Sequence, residues 1–166
     1  MIREADVLRA LAHEPAAKRA ITNLRCLNEA YDYPKPSSFS RGMRIDVGDV
    51  AILLISGTAS IDEHGQSVHI GDFRAQLRRT YRNITMLLEA ERATWHDVVR
   101  TTCYLRDIER DYTAFNEERT AFYREQGLNP LPASTGIQAI LCRPELLIEI
   151  EAIAMFRTDK PKDAKE

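Results

Sequence analysis

Two glutamates near the C-terminal end sit in surroundings that could support chemistry. They lie in the stretch Leu146-Leu147-Ile148-Glu149-Ile150-Glu151-Ala152-Ile153-Ala154-Met155-Phe156. Side chains of a strand alternate between faces, so Leu146, Ile148, Ile150, Ala152, Ala154 and Phe156 form one wholly apolar face. Leu147, Glu149, Glu151, Ile153 and Met155 share the other. The two carboxylates then stand side by side, roughly 7 Å apart at two strand rises, with apolar residues on either side. Solvent-facing glutamates are the plain reading of such a pair, and the wall of a cleft is the sharper one. The segment before them favours the cleft. Ser134-Thr135-Gly136 offers two hydroxyls and a glycine that lets a ligand approach backbone N–H groups. If the strand before the Cys142-Arg143-Pro144-Glu145 turn pairs with the strand after it, both sets of groups border one pocket.

Length and composition limit what can surround that pocket. The 166 residues make a single domain with a proper core, and 44% hydrophobic and 29% charged residues are ordinary for a globular chain. A net charge of −2 leaves no excess of Lys and Arg for a dedicated nucleic-acid binder. Cys26, Cys103 and Cys142 are widely spaced and form no CxxC. With no secretory signal and no apolar run near ~20 residues, a cytoplasmic protein with free thiols and no membrane contact is expected. His13, His64, His69 and His96 show no metal-binding spacing, so neither a metal nor a cofactor is expected.

The remaining pattern is that of alternating strands and helices. Residues 1–31 carry apolar residues at helical spacing (Val7, Leu8, Leu11, then Ile21, Leu24, Leu27), interrupted by Pro15. We expect residues 1–36 to form an N-terminal extension, residues 37–156 the domain, and residues 157–166 a charged tail. Met43 to Ser56 reads as a hairpin turning at Gly48-Asp49. Its apolar run Val50 to Ile55 predicts a strand buried on both faces, ended by Ser56-Gly57-Thr58. Asp72 caps a helix with the stripe Phe73, Leu77, Tyr81, Ile84, Leu88. Arg74, Arg78, Arg79 and Arg82 read as its solvated face. A strand at Val98–Leu105 follows, then a helix capped by Asp107, striped by Ile108, Tyr112, Phe115 and Phe122, and stopped by Gly127. Asn116 sits at the edge of that stripe. Two helices cover only one face of the resulting sheet, so the other face must be buried by association.

Several of these strings occur together in one known family. Ser56-Gly57, Val98-Val99-Arg100-Thr101-Thr102, Tyr104-Leu105-Arg106-Asp107, Tyr112 to Asn116, and Ile148 to Ala154 resemble the RidA/YjgF family of reactive-intermediate deaminases. Older names for that family are endoribonuclease L-PSP and translation inhibitor. The resemblance spans residues 37–156. It implies a chorismate-mutase-like α+β domain, a mainly antiparallel mixed sheet with two helices on one face. It also implies a homotrimer around a central barrel, with ligand clefts between subunits.

Function transfers residue by residue. Family members that deaminate grip the substrate carboxylate with the arginine of a Pro-Ala-Arg motif. Here that motif is Pro132-Ala133-Ser134, and a serine hydroxyl does not replace a bidentate guanidinium. The cysteine two residues beyond is Gly136, and the tyrosine of the N-terminal cleft segment is Phe39. Asn116 and Glu149 match, and Glu149 corresponds to the glutamate that acts on water. Pro132 to Ile137 is also similar to a short string in chorismatases, which hydrolyse an enol ether. The expected function is a hydrolase of a small enamine, imine or enol ether, with Glu149 catalytic and Phe39, Asn116, Ser134, Thr135 and Gly136 binding a small ligand, a carboxylate among the candidates. A standard 2-aminoacrylate deaminase is not expected. A non-catalytic ligand binder on the same trimer is the alternative, and a ribonuclease fits the charge balance least.

Overall fold

Alternation along the last strand decides which way the whole sheet faces. The computed structural model describes residues 16–25, 27–33 and 36–158. Its strands are β1 (Lys18–Ala20), β2 (Gly42–Val47), β3 (Val50–Ala59), β4 (Val98–Leu105), β5 (Ala133–Gln138) and β6 (Ile148–Arg157). Its helices are α1 (Phe73–Ala90) and α2 (Ile108–Glu125). Ile148, Ile150, Ala152 and Ala154 of β6 are buried, while the residues between them are partly open or exposed. Both helices pack on the buried side, where Leu77, Tyr81, Ile84 and Leu88 of α1 meet Phe115 and Tyr123 of α2 in one core. The Tyr81 ring stacks on Phe122 at a centroid distance of 4.4 Å, and Trp95 meets both rings edge-on.

The six strands run in the order β1-β2-β3-β6-β4-β5. All pairs are antiparallel except β4 with β5, which is parallel. The segment Ala133–Gln138 therefore does not pair with β6: β4 lies between them. A parallel pair needs a long crossover, and α2 is that crossover. The fold is the α+β class expected, a mixed sheet with both helices on one face.

Local chemistry explains the boundaries. The Asp72 carboxylate accepts from Ala75 N at 2.9 Å and the Asp107 carboxylate from Arg110 N at 3.0 Å, the two N-caps read from the sequence. Gly127 stops α2 at φ +65°, a conformation that favours glycine. Two side chains then anchor the loop that leads into β6. Arg106 donates to the carbonyls of Arg143, at 2.6 Å, and of Leu146, at 2.5 Å. The buried Gln76 amide donates to Glu145 O and accepts from Leu147 N. Backbone groups of an irregular segment need such partners when they are buried. The result is a fixed start for β6, one residue before Glu149.

Four expectations are corrected. Of the expected N-terminal helix, residues 1–15 and 26 lie outside the described residues. Among residues 16–25 and 27–31 the chain forms β1 and a 3-10 turn beginning at Ala30 instead, because backbone pairing with β2 satisfies Lys18–Ala20. The strand at Val50 does not end at Ser56. It bulges between Ile55 and Thr58 and continues to Ala59, where the Asn83 amide holds the Ala59 and Ile61 carbonyls. As expected of a central strand that lacks cover on one face, Ala51, Leu53 and Ile55 are buried and Leu54 is 40% exposed, so among the described residues it is covered on one face only. The arginine face of α1 is tied to its surroundings rather than merely solvated. Arg74 pairs with Glu117 and Glu118, Arg78 with Glu118, and Arg79 with Glu63. The stripe of α2 also shifts: Tyr112 is half exposed and Tyr123 is buried in its place.

Candidate active site

The bulge in β3 and the register of β4 sort the candidate residues into two groups on opposite faces of the sheet. One rung of the ladder aligns Ser134, Thr101 and Ala152, and Ala152 is on the helix side. Another aligns Ile137, Tyr104 and Glu149, on the face away from the helices. Ser134 and Glu149 are thus three rungs apart, about 10 Å along the strands, and point in opposite directions.

On the open face, Glu149 is held by shape rather than by hydrogen bonds. A Cβ placed on Gly57 would lie 2.1 Å from Glu149 Oε1, so the carboxylate rests against bare backbone that only glycine provides. The β3 bulge brings Gly57 to that position. No donor among the described residues bonds the Glu149 carboxylate. Burial raises its pKa above the ordinary value of 4.5, and the neighbouring charge of Glu151 raises it further. Tyr104 borders both glutamates, and its pKa is raised by burial first and then by the charge of Glu151. The Phe39 segment reaches the same bulge, since Ser56 Oγ donates to Ser40 O at 2.7 Å and Ser56 N to Arg41 O. The Arg41 guanidinium lies 5.4 Å from the centre of the Phe39 ring. Thr135 and Glu151 share a rung on this face, and Arg100 Nη2 donates to Thr135 Oγ1 at 3.1 Å.

On the helix side, Asn116 and Ser134 are brought together by a residue that the sequence reading did not single out. Arg119 Nη2 donates to Asn116 Oδ1 at 2.5 Å and its Nη1 to Ser134 Oγ at 3.2 Å. The Arg119 guanidinium also lies over the Phe115 ring, 4.5 Å from its centre. Ser134 exchanges a further hydroxyl contact with Thr101, at 3.1 Å. Beneath them Cys103 is buried, which pushes its thiol pKa up and leaves it a poor nucleophile. A groove of about 410 Å³ opens beside Ser134, walled by Arg119, Tyr123, Arg124, Leu128, Leu131 and Pro132. Gly136 has nothing within 4 Å of where a Cβ would sit, so no contact within the chain demands glycine there.

Of the candidates, then, Asn116 and Ser134 form one cluster and Glu149 stands in another with the Phe39 segment nearby. Thr135 lies on the Glu149 face and Gly136 on the Ser134 face. Arg119 escaped notice because a helical arginine 15 residues before Ser134 gives no local signal. Its one sequence cue is the spacing Asn116-x-x-Arg119, which puts both on one side of a helix.

Comparison with known proteins agrees with this architecture. The family model described as endoribonuclease L-PSP matches residues 35–156. A RutC family protein of Pyrococcus abyssi is 31% identical over 122 residues, 73% of this chain and 89% of that protein. The 3-aminoacrylate deaminase RutC of Acinetobacter baylyi is 33% identical over 103 residues, 62% of this chain and 78% of that protein. The solved structure of the YjgF gene product of E. coli matches with a TM-score of 0.67 at 26% identity, over 84% of this chain and 99% of that one. The shared strings, the shared sheet and a family model spanning most of the sequence lead to one assignment: the chain belongs to the RidA/YjgF family, the endoribonuclease L-PSP family of that model.

Proposed function

We propose that this protein hydrolyses a small enamine, imine or enol-ether metabolite in clefts completed by a second copy of the chain, and that it is not a standard 2-aminoacrylate deaminase. The observation that carries the reading is Glu149. It is a half-buried carboxyl without hydrogen-bond donors among the described residues, its pKa raised by desolvation, lying beside backbone that cannot crowd it. A carboxyl whose acid form is favoured by burial is the type of group that gives and takes a proton in general acid–base catalysis. On an enamine, the Glu149 acid protonates the carbon next to the C=N bond that forms, giving an iminium. The resulting carboxylate then takes a proton from water as the water oxygen adds to the iminium carbon. Ammonia leaves, a carbonyl remains, and Glu149 regains its acid form. An enol ether follows the same course with an alcohol as the leaving group. The similarity to a 3-aminoacrylate deaminase supports the enamine arm.

Association follows from the two-sided layout. Glu149 and Ser134 point away from each other within one chain, so a cleft using both needs the Glu149 face of one copy against the β5 edge of another. The open face supplies apolar contact area, with Leu54 opposite Ile153 and Ile52 opposite Met155. The assembly we propose is the homotrimer that the family resemblance implies.

The test is a screen of enamines, imines and enol ethers on the purified protein, with Glu149→Gln alongside. Loss of a proton-transferring carboxyl should lower turnover at least ~100-fold. Turnover unchanged by Glu149→Gln would overturn the mechanism. A ligand bound by both proteins and turned over by neither would favour the non-catalytic binder, which the serine in place of the motif arginine also suits.

A further inference from the structure

We propose that Arg119 is the anion clamp of this protein, supplied from α2 rather than from β5, and that it selects a carboxylate carrying an apolar tail. The first support is the position of the guanidinium. It reaches Ser134 Oγ at 3.2 Å, so it occupies the place that a side chain longer than serine would fill. The second is its company. Of the fifteen other arginines of the described residues, seven (19, 44, 74, 78, 79, 110 and 157) form ion pairs with carboxylates, so what sets Arg119 apart is the groove it lines and the groups that hold it. Arg119 is half-buried and forms no ion pair among the described residues; its partners there are an amide oxygen, a hydroxyl and an aromatic ring. The acids nearest in sequence, Glu117 and Glu118, are committed to Arg74 and Arg78.

A half-buried guanidinium without a counter-charge among the described residues is the arrangement a bound anion relieves. Asn116 and Phe115 fix its plane beforehand, so little side-chain freedom is lost when a ligand arrives. The groove it faces has no acidic wall, and a second cation, Arg124, stands on its rim. Thr120 and Ser134 add hydroxyls, and its apolar walls are Tyr123, Leu128, Leu131 and Pro132, which suit an aliphatic or aromatic body and would gain little from a ligand as small as acetate.

This inference rests on reading the cleft as a small-molecule site, but it is tested by binding and not by turnover. Calorimetric titration would use 4-methylpentanoate, its neutral amide 4-methylpentanamide, and acetate. Wild-type protein should bind the acid at least about 10-fold more tightly than the amide, as a charge-assisted contact implies. It should also prefer the acid to acetate by a similar factor. Arg119→Gln should erase the preference for acid over amide, and Arg119→Lys should recover only part of it, because an ammonium lacks the planar fork. Ser134→Asp sets a carboxylate of the chain's own beside the intact arginine and should abolish binding of the acid in the same way. Should Arg119→Gln not fold, the Ser134→Asp titration decides alone. Equal affinity of wild type for acid and amide overturns the proposal, as does undiminished preference in a folded Arg119→Gln or Ser134→Asp protein. An inert wild type that still binds the acid through Arg119 would defeat the hydrolase reading and leave the clamp standing.

Discussion

The two faces of the candidate cleft are held by opposite means. Glu149 stands on β6, which is paired on both sides, and its carboxylate is pressed against Gly57 at a bulge of the neighbouring strand. Ser134 stands on β5, an edge strand exposed along its whole length, and charge reaches it through a long side chain from an overlying helix. A position inside two ladders is fixed by both, and no side chain from elsewhere can take over its direction. A position on an edge can be reached from any element that passes above it. The proposed proton-handling group is therefore tied to its backbone, whereas the proposed clamp is portable.

The sharpest way to break that comparison is to separate the two halves into different chains. Glu149→Gln and Arg119→Gln proteins should each be nearly inactive. Unfolded together and refolded at equal concentration, they should recover about a quarter of wild-type turnover. In a random cyclic assembly that is the share of clefts receiving both intact halves. Turnover that stays at the level of the parents, in assemblies shown by mass spectrometry to be mixed, would place both halves within one chain.

A second test compares the two glycines. Gly57→Val drives a side chain into the Glu149 carboxylate, and misplacing a reacting group by about 1 Å can lower turnover on the order of 100-fold. Overpacking of this kind costs about 1–3 kcal/mol of stability as well, so melting curves must show that the variant is folded at the assay temperature. Gly136→Val adds the same side chain where the chain leaves open space. It should change turnover less than ~10-fold, the range of a modest pocket effect. Equal losses from both would mean that an associating copy crowds Gly136 as closely as Glu149 crowds Gly57.

A smaller effect is expected from restoring the motif arginine. In wild type, Ser134→Arg places two guanidiniums within a few ångströms of each other, and their repulsion offsets the gain of a second fork. Carboxylate affinity should move less than ~5-fold, within the scatter of single contacts. In the Arg119→Gln background the same substitution should restore the preference for acid over amide. A large gain in wild type and none in the Arg119→Gln background would show that strand and helix arginines serve different ligands.

These contrasts also explain what the sequence could disclose. Asp72, Asp107 and Gly127 were legible because caps act within one turn of chain. Glu149 was legible because alternation over Leu146–Phe156 depends on neighbours alone. β1 was not, since three residues carry no alternation and Lys18–Ala20 becomes a strand only by pairing with β2. The separation of Ser134 from Glu149 was hidden because β4, some 30 residues upstream, inserts between their strands. Arg119 was hidden for a similar reason: its meaning depends on a contact 15 residues away in sequence, made across a crossover.

The smallest expected effect concerns stability, and it probes the acid side without a substrate. Burial, and then Glu151, raise the Glu149 pKa above 4.5 in the folded chain. The folded state therefore holds this proton more tightly than the unfolded chain does. The stabilisation from that binding is fully present below the unfolded pKa and is lost as pH rises through the folded value. Above it, the native state carries a half-buried charge with a second carboxylate nearby. Glu149→Gln removes that charge, so the variant should melt higher than wild type at pH 7.5, by a few degrees at most, as is usual for a single substitution. The difference should shrink toward zero as pH falls below about 4.5, where wild-type Glu149 is also neutral. The two proteins differ at this one carboxyl, so the difference between their melting profiles reports on Glu149 and on its coupling to Glu151 and Tyr104. A difference that stays constant with pH would mean that Glu149 titrates like a solvated carboxylate, and the acid side of the comparison would lose its physical basis.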